Sequence, residues 1–344
     1  MSRVFVRGLG AVSPAGWGVP ALRDILDKER PLPVQSLARP GWDKSLPVRA
    51  VPPPPVRPSF LAHPRLRRAS PMTHYAVGAA LEALGQDVEL IRSGAQKLGI
   101  VACTLTGGIS YSRRFYEEAL QNPATASPMI FPETVFNSSA SHLAAYLDSS
   151  SVNYTLVGDA GTFLQGLAVA AGWLESGFVG ACLVIGAEEP DWTVSDALRL
   201  FDSRTVHASG AGALYLKSQP PSSTAVELAA ISDAFAATRI PGRAEATRKM
   251  RAQLPIGSPD ELLCVCERGD AVWSDWPGRV VAPREILGEA FAASAAWQCV
   301  AACDAIEHRR CSAANVSITG AGLQAIAARF VNPNFLNTQE ATSP

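Results

Sequence analysis

Tyr154–Gly177 reads YTLVGDAGTFLQGLAVAAGWLESG, and its first eight residues decide what kind of fold the chain builds. Tyr154 to Val157 is an apolar, β-prone run that stops at Gly158. Phe163, Leu164, Leu167, Ala168, Ala171 and Leu174 then recur at helical spacing. A strand that turns sharply into a helix places its turn residues at a helix N-terminus. Backbone N–H groups and the helix dipole favour an anionic nucleophile there. The turn is Gly158-Asp159-Ala160-Gly161, without the Cys or Ser that such a position invites.

Outward from this stretch, strands and helices alternate. RVFVRGLGAVSP is a strand, followed by the short helix VPALRDILDK. Residues 31–60 are rich in proline and include VPPPPVRP, which reads as a rigid connecting loop; a polyproline ligand is the other reading. SPMTHYAVGAALEALG is a helix that Ser70 caps. KLGIVACTLTGG is a strand entering a glycine pair, ISYSRRFYEEAL a helix, and SPMIFPETVFNSSASHLAAYL a loop leading into a helix capped by Ser139 or Ser141.

GACLVIGAEE is a continuous apolar strand, as expected when both faces are buried, and ASGAGALYLKS is another. A second half begins near Ser222. It holds the strand-like AVELAAISDAFAAT and DELLCVCERGD, the apolar helix GEAFAASAAWQCVAACDAIEH, and one or two last strands in NVSITGAGLQAIAARF. The helices at 163–174 and 289–306 are apolar nearly all round, so they lie between sheets rather than on a surface. The expectation is an α/β fold of two mixed sheets with helices between and outside them, a five-layer α-β-α-β-α sandwich divided into 1–221 and 222–344.

Composition narrows the function classes. The chain has 344 residues, 47% apolar and 18% charged, which suits a large core and argues against disorder. Net charge is −1 with no basic block, so nucleic-acid binding through a charged face is disfavoured. Seven cysteines (103, 182, 264, 266, 299, 303 and 311), mostly in apolar runs, read as reduced thiols of a cytoplasmic protein. Cys299 and Cys303 are four apart on a helix but have no His or acidic set to complete a metal site. No apolar run reaches the ~18 residues of a membrane span. The opening MSRVFVRGLGAVSPAG is a strand and turn, not a signal peptide.

These segments, in this order and spacing, resemble the β-ketoacyl synthases of the thiolase fold. RVFVRGLGAVSPAG is similar to that family's opening strand, LGIVACTLTGGIS to its second strand and glycine pair, and VNYTLVGDAGTFLQGLAVAAGWLESG to the strand-turn-helix bearing its nucleophile. ACLVIGAEE, FDSRTVHASGAGALYL and LGEAFAASAAW resemble later segments. The likeness spans residues 2–217 well and 224–331 loosely, with a shortened C-terminal half.

All three catalytic positions implied by the resemblance are changed. Strand-to-strand alignment puts Ala160 at the cysteine position; a one-residue shift puts Asp159 there. Arg268, in VCERGDAV, stands in place of the first histidine, and Glu289, in GEAFAA, in place of the second. The family's glycine-rich gate is reduced to ITGAGLQA. Ketosynthases need a thiolate to hold the acyl chain and two imidazoles to stabilise the developing enolate. Ala160 offers no nucleophile, Arg268 cannot exchange protons near neutral pH, and the anion of Glu289 opposes an enolate. Arg268 and Glu289 are expected to pair with each other across the former site. None of His63, His74, His142, His207 and His308 is next to a Ser or Cys in an elbow-like turn.

The resemblance therefore implies a dimer in which this chain is the blank, chain-length-factor-like subunit of an active ketosynthase in a type II polyketide, polyene or fatty-acid-like system. No cofactor is implied. The partner condenses; an acyl carrier protein brings the phosphopantetheine-linked chain to it. Ile109, Ser112 and Tyr116 fall on one helix face at i, i+3 and i+7 and match the family's tunnel-gating helix. Their other reading is plain core. Arg65, Arg67 and Arg68 could steer an acidic carrier, or form a solvated loop. Two further functions stand beside this one: an enzyme decarboxylating malonyl-carrier to make a primer, and a homodimeric acyl-binding scaffold.

Overall fold

A computed structural model describes residues 3–150, 152–221, 224–237, 242–320 and 324–334. The first half contains β1 (Phe5–Ser13), α1 (Val19–Lys28), α2 (Pro71–Leu84), β2 (Leu98–Thr104), α3 (Ile109–Gln121), α4 (Ser138–Tyr146), β3 (Val152–Val157), α5 (Thr162–Glu175), β4 (Ala181–Glu188), α6 (Trp192–Phe201) and β5 (Gly210–Lys217). The second contains β6 (Val226–Ile231), α7 (Arg243–Arg251), β7 (Leu262–Val265), β8 (Arg279–Val281), α8 (Phe291–Glu307), β9 (Ala313–Thr319) and β10 (Gln324–Val331).

The two halves repeat one topology. In the first, β2 is parallel to β3 and β4, β4 is antiparallel to β5, and β5 to β1. In the second, β7 is parallel to β8 and β9, β9 is antiparallel to β10, and β10 to β6. The two mixed sheets expected from the sequence are joined edge to edge by a short antiparallel pairing of β1 with β6, Phe5 opposite Glu227 and Val6 opposite Val226. Each of these strands is the antiparallel end of its own half, and pairing them removes two exposed edges from the middle of the molecule. The boundary expected at residue 222 lies outside the described residues.

Layering follows from burial. Helix α2 packs outside on β1, β4 and β5, and α7 outside on β10; α5 and α8 lie between the two halves of the sheet. Strands β2 and β4 are buried at every position, which is why they carry no alternation. Helix α8 is buried on all sides. It approaches the sheet so closely that a Cβ at Gly186 would lie 2.3 Å from the Ala292 carbonyl oxygen. Trp297, fully buried in its middle, donates Nε1–H to Ala211 O at 2.9 Å and Val12 O at 3.2 Å. The five-layer α-β-α-β-α sandwich is thus present.

Details differ from the sequence reading. Helices α6 and α7 and the three-residue β8 were not foreseen; α7 is mainly polar and β8 is too short to carry a period, whereas α6 is amphipathic and as long as α1. Ser70 caps α2 as expected, accepting from Thr73 N at 3.2 Å. Ser139 and Ser141 do not cap α4; they lie inside it, and Asn137 precedes it without a side-chain cap. The proline-rich connection contains short strands at Gln35–Leu37 and Leu46–Arg49, the latter pairing with His207–Ala208. All seven cysteines are unpaired, six of them buried. Among the described residues no helix is long and apolar enough to cross a membrane.

Candidate functional site

The turn after β3 is closed by backbone bonds. Gly158 N donates to Thr104 O at 3.0 Å, tying the strand end to β2, and Thr162 N donates to Asp159 O at 3.0 Å. Asp159 Oδ1 accepts from Gly161 N at 3.2 Å. The turn presses on the second half of the chain: a Cβ at Gly320 would fall 2.1 Å from Asp159 Oδ2, and one at Gly161 2.3 Å from Gln324 Oε1. Ala160 sits in the central core with Phe163 and Leu164. The elbow therefore exists as backbone, with a methyl group in the core and a carboxylate against Gly320. Neither can form a thioester. Of the reduced gate, residues 321–323 lie outside the described residues.

Arg268 and Glu289 line one cleft of about 340 Å³, together with Arg49, Arg204, Arg284 and Glu267. The pairing expected between Arg268 and Glu289 is not formed. Glu289 Oε2 accepts instead from Arg284 Nη1 at 3.0 Å, and its Oε1 from Phe291 N at 2.7 Å. The reason is local. Gly288 has φ +97°, a conformation only glycine adopts freely. It folds Glu289 back over the short helix Pro283–Leu287, which carries Arg284. Glu289 N then bonds Val206 O at 2.9 Å and Glu289 O accepts from Ala208 N at 2.8 Å, fixing the segment. Arg284 also holds Glu267. Burial pulls the Arg284 guanidinium down, but Glu289, Cys266 and Glu267 outweigh it, and its net shift is upward.

Arg268 reaches the other way. Its Nη2 lies 3.0 Å from Glu29 Oε2 at the end of α1, and its backbone N–H donates to Glu285 Oε1 at 2.6 Å. Hydrogen bonds from Arg268 and then Arg279 hold the Glu29 carboxyl below the usual carboxylate range. The two residues at the implied histidine positions thus share a cleft and serve separate ion pairs.

A Ser–His contact escaped the sequence reading. His207 Nδ1 lies 2.7 Å from Ser195 Oγ, which itself donates to Asp191 O at 2.8 Å. The hydroxyl proton is committed, so Nδ1 carries the hydrogen and donates. Nε2 has no hydrogen-bond partner among the described residues, and the ring packs on Phe291 at 5.9 Å. Burial lowers the His207 pKa to about 4. The imidazole is neutral, and Ser195 sits on a helix rather than an elbow, so the contact is not a nucleophile pair. His142 Nε2 lies 2.5 Å from the buried Glu133 carboxylate.

The implied tunnel residues all stand on α3. Ser112 Oγ donates to Gly108 O at 3.1 Å and Thr134 O at 3.3 Å, so it faces the adjoining 3-10 turn. Ile109 is half-buried and Tyr116 is 63% exposed. The start of this helix hangs on two buried glutamates that sequence reasoning missed. Glu188 accepts from Leu105 N at 2.5 Å and Thr106 Oγ1 at 2.7 Å, and burial pushes its pKa up to about 7. Glu189 accepts from Ser110 N at 2.8 Å and Met72 N at 3.2 Å. Two acidic residues closing an otherwise apolar strand were the available signal. Arg65, Arg67 and Arg68 are exposed on a loop pinned by the buried Leu66. Tyr111, from α3, donates to Arg68 O at 3.0 Å, so this loop and α3 are neighbours.

Strand β3 ends the sheet and exposes one apolar group on each face: Tyr154, whose ring meets Trp173 at 6.2 Å, and Val157, each 52% exposed. Val157 lies opposite Thr104 in the ladder. Beyond it Phe136 packs on Gly107, and Phe131 and Met129 are also exposed.

No family model matches the chain, and no curated protein matches it. Solved structures do. A type II polyketide synthase ketosynthase in complex with its acyl-carrier protein and bound to a hexaketide aligns with 15% identity and a TM-score of 0.79, over 96% of this chain and 99% of that one. The ishigamide ketosynthase/chain length factor aligns with 20% identity and a TM-score of 0.78, over 96% and 99%. A ketosynthase in complex with its chain length factor from Xenorhabdus doucetiae aligns with 12% identity and a TM-score of 0.73, over 96% and 98%. The chain has the thiolase-like fold of the β-ketoacyl synthases.

Proposed function

We propose that this chain is the non-catalytic, chain-length-factor-like half of a heterodimer whose other half is an active, Cys-bearing ketosynthase. The observation that carries the reading is the preserved elbow without a nucleophile, set beside an open, apolar sheet edge. Hydrogen bonds close the strand-to-helix turn Gly158–Gly161, yet Ala160 lies in the core, and Arg268 and Glu289, taken as the two partner positions, each serve their own ion pair. Retained geometry without chemistry is explained by packing at an interface. Strand β3, with Tyr154 and Val157 exposed, is an unpaired edge among the described residues. Such an edge is a template for another chain.

In this reading the partner condenses in the cytoplasm, on a phosphopantetheine-linked chain delivered by an acyl carrier protein, in a type II polyketide, polyene or fatty-acid-like pathway. Helix α3 with Ile109, Ser112 and Tyr116 walls the tunnel and limits product length. Arg65, Arg67 and Arg68 form a secondary basic contact for the carrier. The test is co-expression with a Cys-containing ketosynthase encoded beside it, purifying through a tag on this chain. A 1:1 complex is expected. A stable homodimer that ignores the synthase overturns the reading in favour of an acyl-binding scaffold. Decarboxylation of malonyl-carrier by the isolated chain favours a priming enzyme instead.

A further inference from the structure

In the cleft holding Arg268 and Glu289, the guanidinium of Arg49 has no ion-pair partner among the described residues. Arg49, 9% exposed, ends the short strand Leu46–Arg49 and lines the cleft. Its side chain makes one hydrogen bond among the described residues, Nε to Leu32 O at 2.8 Å. No carboxylate there pairs with it, and burial pulls its pKa below the ordinary arginine value.

The acidic residues of the same cleft are already engaged. Glu289 is held by Arg284 and Phe291 N, and Glu267 by Arg284. Glu285 accepts from Arg268 N at 2.6 Å, and Asp202 from Thr205 Oγ1 at 2.7 Å and Arg204 N at 3.0 Å. The Arg49 amino groups are not among the buried atoms without a partner, so they open to the cleft with no hydrogen bond among the described residues. The planar fork of a guanidinium matches carboxylate and phosphate oxygens two at a time. At about 340 Å³ the cleft has the size of a small-ligand site.

We propose that this cleft binds a small oxyanion, a carboxylate or phosphate group seated on the two free amino groups of Arg49. The exposed Arg204 stands at the same cleft as a second cation. The site is independent of the interface at β3, so it stands or falls separately from the partnered function.

The experiment is a titration of thermal stability at constant ionic strength, replacing chloride by inorganic phosphate in one arm and by acetate in the other. The purified full chain, or its complex, is compared with Arg49→Gln. Expected is a saturable rise in Tm for at least one anion, with its apparent Kd raised tenfold or more in Arg49→Gln; the arm that saturates identifies the group as phosphoryl or carboxylate. A saturation unchanged in Arg49→Gln, or a non-saturable salt effect in both arms, overturns the proposal. A second measurement needs no variant: phenylglyoxal labelling followed by peptide mass mapping. The effective anion should slow modification of Arg49 and leave that of the exposed Arg114 unchanged. Equal labelling of Arg49 with and without either anion rejects the site.

Discussion

Glu289 lies 3.0 Å from Arg284, five residues before it, while Arg268 turns away to Glu29 on α1. The two ion pairs differ in burial, and that difference sets their weight. The Arg284 side chain is 13% exposed and Glu289 4%, against 41% and 39% for Arg268 and Glu29. Removing one partner of a buried pair leaves an uncompensated charge and costs about 3–5 kcal/mol. An exposed pair is worth about 0–1 kcal/mol. Arg284→Ala is therefore expected to lower the denaturation midpoint strongly and Arg268→Ala hardly at all. Equal losses from the two substitutions contradict this assignment.

The neutral, buried His207 makes stability fall in acid. Its pKa is about 4 in the fold, below the ordinary 6.5, so the unfolded chain binds the proton more readily. This contribution is fully present above pH 6.5 and is lost as pH falls from there through 4. By linkage it reaches about 3 kcal/mol for a shift of this size. His207→Phe should flatten the stability profile of the chain between those pH values, whatever it does to stability at pH 8. An unchanged slope in urea denaturation at pH 5 to 6.5 counts against a neutral His207.

How much of this was readable beforehand depends on the length scale of the cause. The all-apolar α8 was legible because burial on every side leaves its mark in consecutive residues, and the strand-turn-helix at 154–177 because a β-prone run stops at Gly158 before apolar residues recur at helical spacing. That the turn Gly158-Asp159-Ala160-Gly161 carries no Cys or Ser was legible from residue identity alone. The Arg284–Glu289 contact was not, although the residues are close in sequence, because it depends on the left-handed turn at Gly288. Ser195 and His207 are twelve residues apart and meet only after α6 folds back to the strand at His207–Ala208. The joining of the two half-sheets through Phe5–Glu227 is a long-range pairing that no local pattern announces.

Tyr116 stands 63% exposed on α3 in the single chain. If a partner closes over this helix, the ring becomes part of a shared wall. Tyr116→Ala in the reconstituted complex is expected to shift products toward longer chains, with the complex intact. Mass analysis of the released products reads this directly. An unchanged length distribution removes Tyr116 from the tunnel and leaves Ile109 and Ser112 as packing residues.

The central claim is that the elbow and its strand persist for an interface. Hydrogen–deuterium exchange of Val152–Val157, measured on the chain alone and after saturation with the co-expressed ketosynthase, tests it most directly. In the isolated chain the N–H groups on the free side of β3 face solvent and should exchange early. The account predicts strong slowing there on complex formation, together with the segment around Phe131 and Phe136. A complex that forms while β3 exchanges as before would contradict it.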